Sequence, residues 1–195
     1  MATLNSSAKS TGIRGRWKLL GSKIIFDHPR IKIIEDRLEL PNAEVISYLR
    51  FASGNNGVTV ICIKENKILL QEEYSYPVDE NLIQFPGGKI NKNEEPYNAA
   101  RRELIEESGY TFASAKNLGW YYVNNRRTNS KMYVVLAQNI KKVKKQGGDL
   151  EEEIKSFWLP INEFKQMISN GLITNYSVLA AWVLYTHQNN VPCFC

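Results

Sequence analysis

Sulfur and imidazole are scarce in this chain, with three cysteines and two histidines among 195 residues. Three cysteines do not make a disulfide framework. Cys62 lies in the apolar run VTVICI and reads as a small buried hydrophobe. Cys193 and Cys195 stand in the terminal VPCFC, where a frayed tail is expected, and no further Cys or His cluster accompanies them to complete a zinc site. His28 precedes a proline in a turn and His187 closes an expected helix, so neither is expected to take part in catalysis. No apolar run approaches the roughly 20 residues that a membrane-spanning helix needs. The opening MATLNSSAKSTGIRGRWKLL has no continuous apolar core, so no secretory signal is expected there. A short, weakly amphipathic transit peptide is the lesser alternative to a soluble, cytoplasmic protein. The net charge of +5 is concentrated locally, at Lys141, Lys142, Lys144 and Lys145 and at Arg126-Arg127. The lysine cluster lacks the interleaved aromatics of a nucleic-acid surface. There is no internal repeat.

What is present fits one main domain with a sizeable core, since 43% of the residues are hydrophobic and 11% aromatic. Residues 1–15 are expected to be a disordered tail, with order beginning over Trp17–Phe26. Alternating segments at Ile31–Leu40 and Glu44–Ala52, joined by Pro41-Asn42, predict a β-hairpin. A lone hairpin is marginal, so this 16–53 region needs a partner surface. A second hairpin is predicted about Glu65-Asn66, from Val58–Ile63 and Ile68–Glu73. Leu82–Phe85 is a short strand leading into Pro86-Gly87-Gly88. A helix is predicted from about Glu94 to Ser108, with Pro96 suited to its first turn. Strands at Asn117–Val123, Met132–Gln138 and Ile154–Leu159 follow. Two helices, about Asn162–Ser169 and Asn175–His187, close a main domain of 54–190, leaving a tail at 191–195. Mixed strands with one central and two terminal helices predict an α/β/α sandwich on a mixed sheet.

Within the central helix, Glu103, Glu106 and Glu107 fall on an arc of about 100°. Like charges at this spacing repel by a few tenths of a kcal/mol per pair. A divalent cation converts that repulsion into binding, and hard oxygen donors suit Mg²⁺ or Mn²⁺. Gly109 follows as a helix stop. The alternative is a solvated acidic face with a glycine cap. The wider spacing decides between them. Gly88, five residues, Glu94, seven residues, Arg102-Glu103-Leu104, one residue, Glu106-Glu107, one residue, then Gly109-Tyr110 resembles the Nudix box of the Nudix hydrolases at every defined position.

The resemblance implies metal-dependent hydrolysis of a nucleoside diphosphate linked to another group. It implies Glu103, Glu106 and Glu107 as metal ligands, with Glu103 and Glu107 catalytic and the Gly87 carbonyl a further ligand. Glu94 and Arg102 are implied to hold the loop against the helix through an ion pair. A base outside the box is implied within GGDLEEEI, at Glu151 or Glu153. The early hairpin, the WKLL entry and the ending LPINEFKQMISNGLITNYSVLAAWVL resemble the ADP-ribose and nucleotide-sugar pyrophosphatase branch; with the box, the similarity covers Trp17 to His187. That branch implies a homodimer through the N-terminal strands. Two departures stand out. Glu73-Tyr74-Ser75 replaces the branch's Gln-Tyr-Arg, and Asn124 replaces its later proline. Arg126 or Arg127 is the candidate to restore the lost charge, the alternative being an exposed loop pair. Tyr74, Tyr76, Phe85 and Tyr122 are candidates to stack on a base, each reading more readily as core or hairpin packing, and Gly88 allows the backbone to approach substrate. Another nucleotide substrate, such as a dinucleoside polyphosphate, a nucleoside triphosphate or a capped RNA end, is the second reading. A non-catalytic nucleotide-sugar sensor is the third, although such modules usually lose box carboxylates that this chain keeps.

Overall fold

The computed structural model describes residues 17–52, 55–143 and 154–189. They form two compact units. The first comprises the N-terminal strands together with Arg126–Thr128. Its antiparallel sheet has the order β1 (Lys18–His28), β2 (Ile31–Glu39) and β3 (Val45–Phe51). The expected hairpin is therefore the last two strands of a three-stranded sheet. β1 escapes detection because register shifts at Leu19/Gly21 and Ile24/Phe26 break its alternation, leaving Leu19-Leu20 and Ile24-Ile25-Phe26 as adjacent apolar residues. The β2–β3 turn closes with Ala43 at φ 65° and its N–H on the Leu40 carbonyl. Asp36, buried, accepts from Ser22 and from Arg50 Nε at 2.5 Å. The 126–128 segment docks on β3: the Phe51 N–H donates to the Arg127 carbonyl at 2.8 Å.

The second unit is the α/β/α sandwich. Its central sheet has the order β12 (Lys155–Pro160), β5 (Lys67–Ser75), β4 (Gly57–Lys64), β10 (Lys131–Gln138), β9 (Ser114–Tyr122). Two short strands join it, β6 (Glu80–Gln84) on β5 and β7 (Gly87–Lys89) on β4. The β4–β10 pair is parallel and its other pairings are antiparallel, so the sheet is mixed. Both faces of β4 and β5 are covered, which is why their sequences are nearly continuous apolar runs. One face carries α1 (Pro96–Ser108) over Val58, Val60, Cys62, Leu69 and Val135, sealed by Ala99, Ala100 and Leu104. The other carries α2 (Ile161–Ser169) and α3 (Tyr176–Asn189) over Ile61, Ile68, Leu70, Leu118 and Val134, with Phe164 and Trp182 edge to face. A two-stranded ribbon of β8 (Tyr110–Thr111) and β11 (Lys141–Lys142) follows α1 in space. The β4–β5 turn places Glu65 and Asn66 both at positive φ, 51° and 57°, as a tight hairpin requires. Helix α1 begins at Pro96 and ends at Gly109, whose left-handed φ of 72° turns its N–H onto the Ile105 carbonyl.

Candidate active site

The site is built where the turn after β6 meets the C-terminal half of α1. Gly87 lies so close to β4 that a Cβ there would stand 2.1 Å from the Val58 carbonyl oxygen. Gly88 has no such backbone conflict. A Cβ there would instead meet the Glu103 carboxyl carbon at 2.6 Å, so that carboxylate is seated directly on the Gly88 backbone. The Glu107 carboxylate reaches the preceding residue: its Oε2 accepts from the Gly87 N–H at 2.9 Å and from Gln71 Nε2 at 3.0 Å. Two box carboxylates thus converge on two consecutive glycines, because positions four apart on a helix share one face.

Arg102 binds this arrangement together. Its Nε and Nη2 fork onto the two oxygens of Glu94 at 3.0 and 2.9 Å, and Nη2 also donates to the Lys89 carbonyl at 2.9 Å. The Asn91 N–H donates to the same Glu94 carboxylate at 2.9 Å. The loop from Lys89 to Glu94 is thereby fastened to α1, as a planar guanidinium does best. The remaining arm, Nη1, donates to Glu103 Oε1 at 2.7 Å and to Glu106 Oε2 at 3.2 Å, so those two carboxylates share one nitrogen. Three carboxylates therefore face one guanidinium. The pKa values divide accordingly. Arg102 holds Glu94 below the usual carboxylate range. Burial pushes Glu103 above it, against the pull of Arg102. Glu106 is the most exposed of the three.

The donors are all oxygens, which fits a hard divalent cation. Among the described residues no three acidic, Cys or His side chains are gathered as a finished ligand set. Arg102 Nη1 donates to Glu103 and Glu106, while Glu107 accepts from the Gly87 N–H.

The remaining sequence candidates fall in different places. Glu151 and Glu153 lie outside the described residues, as do Cys193 and Cys195. Arg126 and Arg127 belong to the first unit. There Arg127 lies over the Tyr48 ring, 5.4 Å from its centroid, and donates to the Leu49 carbonyl at 2.9 Å, while the Arg126 carbonyl accepts from the Tyr48 hydroxyl. Tyr74 is half-exposed and donates to Asp79 at 2.8 Å. Ser75 ends β5, its carbonyl taking the N–H groups of Val78 and Asp79. Phe85 is buried against Phe164, and Tyr122 packs on Trp120. His28 caps its own turn by accepting from the Arg30 N–H. The Cys62 thiol is buried and its pKa raised by that burial, consistent with a packing role. Sequence reasoning missed Gln71 and Ser156. They are opposite each other on β5 and β12, and both reach Glu107: Ser156 Oγ donates to its main-chain carbonyl at 3.2 Å. The available signal was a lone amide at an inward position of the run ILLQ.

The NUDIX domain family profile matches residues 55–181. The chain is 28% identical over 166 residues to the methanol dehydrogenase activator of Bacillus methanolicus, covering 84% of this chain and 89% of that protein. It is 28% identical over 137 residues to the ADP-ribose pyrophosphatase of Bacillus subtilis (strain 168), covering 70% and 73%. Among solved structures, a crystal structure described as an ADP compounds hydrolase superimposes with a TM-score of 0.84 over 92% of this chain and 99% of that one, at 21% identity, a likeness of fold. With the profile spanning well over half the chain, this protein belongs to the NUDIX domain family.

Proposed function

We propose that the protein hydrolyses the pyrophosphate bond of a nucleoside diphosphate sugar of the ADP-ribose type, using Mg²⁺ or Mn²⁺, to a nucleoside monophosphate and a sugar phosphate. The observation that carries this reading is the convergence of Glu103 and Glu107 on Gly88 and Gly87, with Glu106 sharing Arg102. Glu103, Glu106 and Glu107, with the Gly87 carbonyl as a further donor, would hold a divalent ion, which would supply charge neutralisation of the diphosphate and acidify the attacking water. The chain's own residues do the rest. Arg102 and Glu94 keep the glycine turn and α1 in one register, which fixes the distance between backbone and carboxylates. The absence of side chains lets Gly87 lie against the Val58 carbonyl and leaves room for the Glu103 carboxylate at Gly88. Burial raises the Glu103 pKa, against the pull of Arg102. Glu151 or Glu153 is proposed to take the proton from the attacking water.

The N-terminal sheet is proposed to form a homodimer. Leu19, Ile24, Phe26, Ile31, Val45 and Leu49 are exposed on this three-stranded unit, more apolar surface than such a small sheet can bury by itself. Ser75, standing where the similar branch carries arginine, favours one second reading: a nucleotide substrate whose second moiety needs no guanidinium from that position. Among the described residues no helix is long and apolar enough to cross a membrane. The test of substrate is a phosphatase-coupled screen with Mg²⁺ and Mn²⁺, covering ADP-ribose, ADP-glucose, GDP-mannose, UDP-glucose, NADH, diadenosine polyphosphates and dNTPs. Preferred turnover of a diphosphate sugar supports the proposal. Turnover confined to dNTPs or diadenosine polyphosphates contradicts it.

A further inference from the structure

Gln71 is a buried amide with an unusual balance of bonds. It is wholly inaccessible, on the face of β5 that it shares with the buried Leu69. Its Nε2 donates to Glu107 Oε2 at 3.0 Å and lies 3.5 Å from Ser156 Oγ. Its Oε1 is buried without a hydrogen-bond partner among the described residues. A buried amide oxygen left unpaired destabilises a fold, and an apolar side chain of the same length would remove that cost. The amide is therefore a poor structural choice for this position. It does supply a donor. An ionised carboxylate only accepts, so the amide turns its nitrogen toward Glu107, which leaves Oε1 buried without a partner among the described residues. The Gly87 N–H meets the same Oε2 at 2.9 Å. Two donors on one oxygen fix the rotation of the Glu107 carboxylate about its last bond. Ser156 anchors the main chain of the same residue at 3.2 Å.

We propose that Gln71 is a positioning residue, whose amide holds the Glu107 carboxylate against the Gly87 N–H in the orientation that takes up the divalent cation. The proposal rests on Glu107 being a metal ligand. Partners that orient a ligating carboxylate typically change metal affinity 10- to 100-fold when removed.

The test uses the full chain with Gln71→Met and Gln71→Leu, and Glu107→Gln as reference. Mn²⁺ binding without substrate is followed by electron paramagnetic resonance, kcat and KM are measured on the best substrate of the screen, and melting is followed without metal. Expected for both Gln71 variants are Mn²⁺ binding weakened about 10- to 100-fold, kcat reduced more than KM is changed, and a metal-free melting temperature equal to or above that of the parent. A structural role moves the readouts the other way, with lowered melting and native Mn²⁺ affinity. That result overturns the proposal, as does loss of folding in both variants. Native Mn²⁺ affinity and kcat in the Gln71 variants, with both lost in Glu107→Gln, overturns the role of Gln71 alone. Native behaviour of Glu107→Gln overturns the underlying reading, and this proposal with it.

Discussion

Gly87→Ala and Gly88→Ala should fail in opposite ways, although the residues are neighbours. At Gly87 the new Cβ would stand 2.1 Å from the Val58 carbonyl oxygen and 3.0 Å from Thr59 Cα, both backbone atoms of β4. Neither can swing aside without opening the β4–β7 pairing. The backbone there, at φ +156°, is also a conformation that L side chains rarely adopt. Strain of about 1–3 kcal/mol and overpacking of about 1–3 kcal/mol together suggest a loss of about 2–6 kcal/mol. At about 2–4 °C per kcal/mol for a chain of this size, calorimetry should record a melting temperature lower by roughly 4–24 °C. At Gly88 the Cβ meets only the movable end of Glu103, at 2.6–2.8 Å. The carboxylate can rotate away, so the fold survives with melting changed by no more than a few degrees. The site does not survive intact, because a displacement near 1 Å at the reacting groups costs about 100-fold in rate. Calorimetry and initial-rate assays on the two variants decide the matter. A Gly88→Ala enzyme with parental activity, or a Gly87→Ala protein with parental melting, would show that the Gly87-Gly88 turn does not seat Glu103 and does not press on β4 as described.

Other consequences follow from the same groups. Glu103 has a raised pKa in the folded chain, so the folded state binds its proton more tightly than the unfolded chain does. Its contribution is favourable below the unfolded value and is lost as pH rises through the folded one. Glu103→Gln should therefore raise metal-free melting at pH 7 and have little effect near pH 3; equal effects at both pH values would refute the burial argument. Glu94 runs the opposite way. Its pKa is lowered by Arg102, so its stabilisation is present above the unfolded value and lost as pH falls through the folded one; acid titration of Glu94→Gln melting should show the difference from parent vanish at low pH. Sedimentation at micromolar concentration should find a dimer, converted to monomer by Ile24→Glu with Phe26→Glu. A parental monomer would contradict the role proposed for the N-terminal sheet.

How much of this was legible depended on whether local spacing or tertiary pairing sets each feature. The box helix was readable because Pro96, the apolar positions Ala99, Ala100 and Leu104, and Gly109 are local signals that also satisfy its packing. The Glu65-Asn66 hairpin was readable for the same reason. The three glutamates were legible as one face because helical geometry places them there with no knowledge of the sheet beneath. β1 was not legible, since its two register shifts exist only against β2. The coupling of Gln71 and Ser156 to Glu107 was equally hidden: strand pairing places 71 beside 156, and only the packing of α1 brings 107 above both. The engagement of Arg127 with Tyr48 and Leu49 likewise joins residues 78 or more apart in sequence only through the fold.

The central claim is that carboxylates gathered at the Gly87-Gly88 turn perform metal-dependent pyrophosphate hydrolysis. Its most direct test is steady-state hydrolysis of ADP-ribose by parent and Glu107→Gln, with and without Mg²⁺, with melting recorded for both. The account predicts turnover by the parent only with the metal, a loss of about 100-fold or more in Glu107→Gln, and a native melting transition in the variant. Parental turnover in chelator, or parental turnover by folded Glu107→Gln, would contradict it.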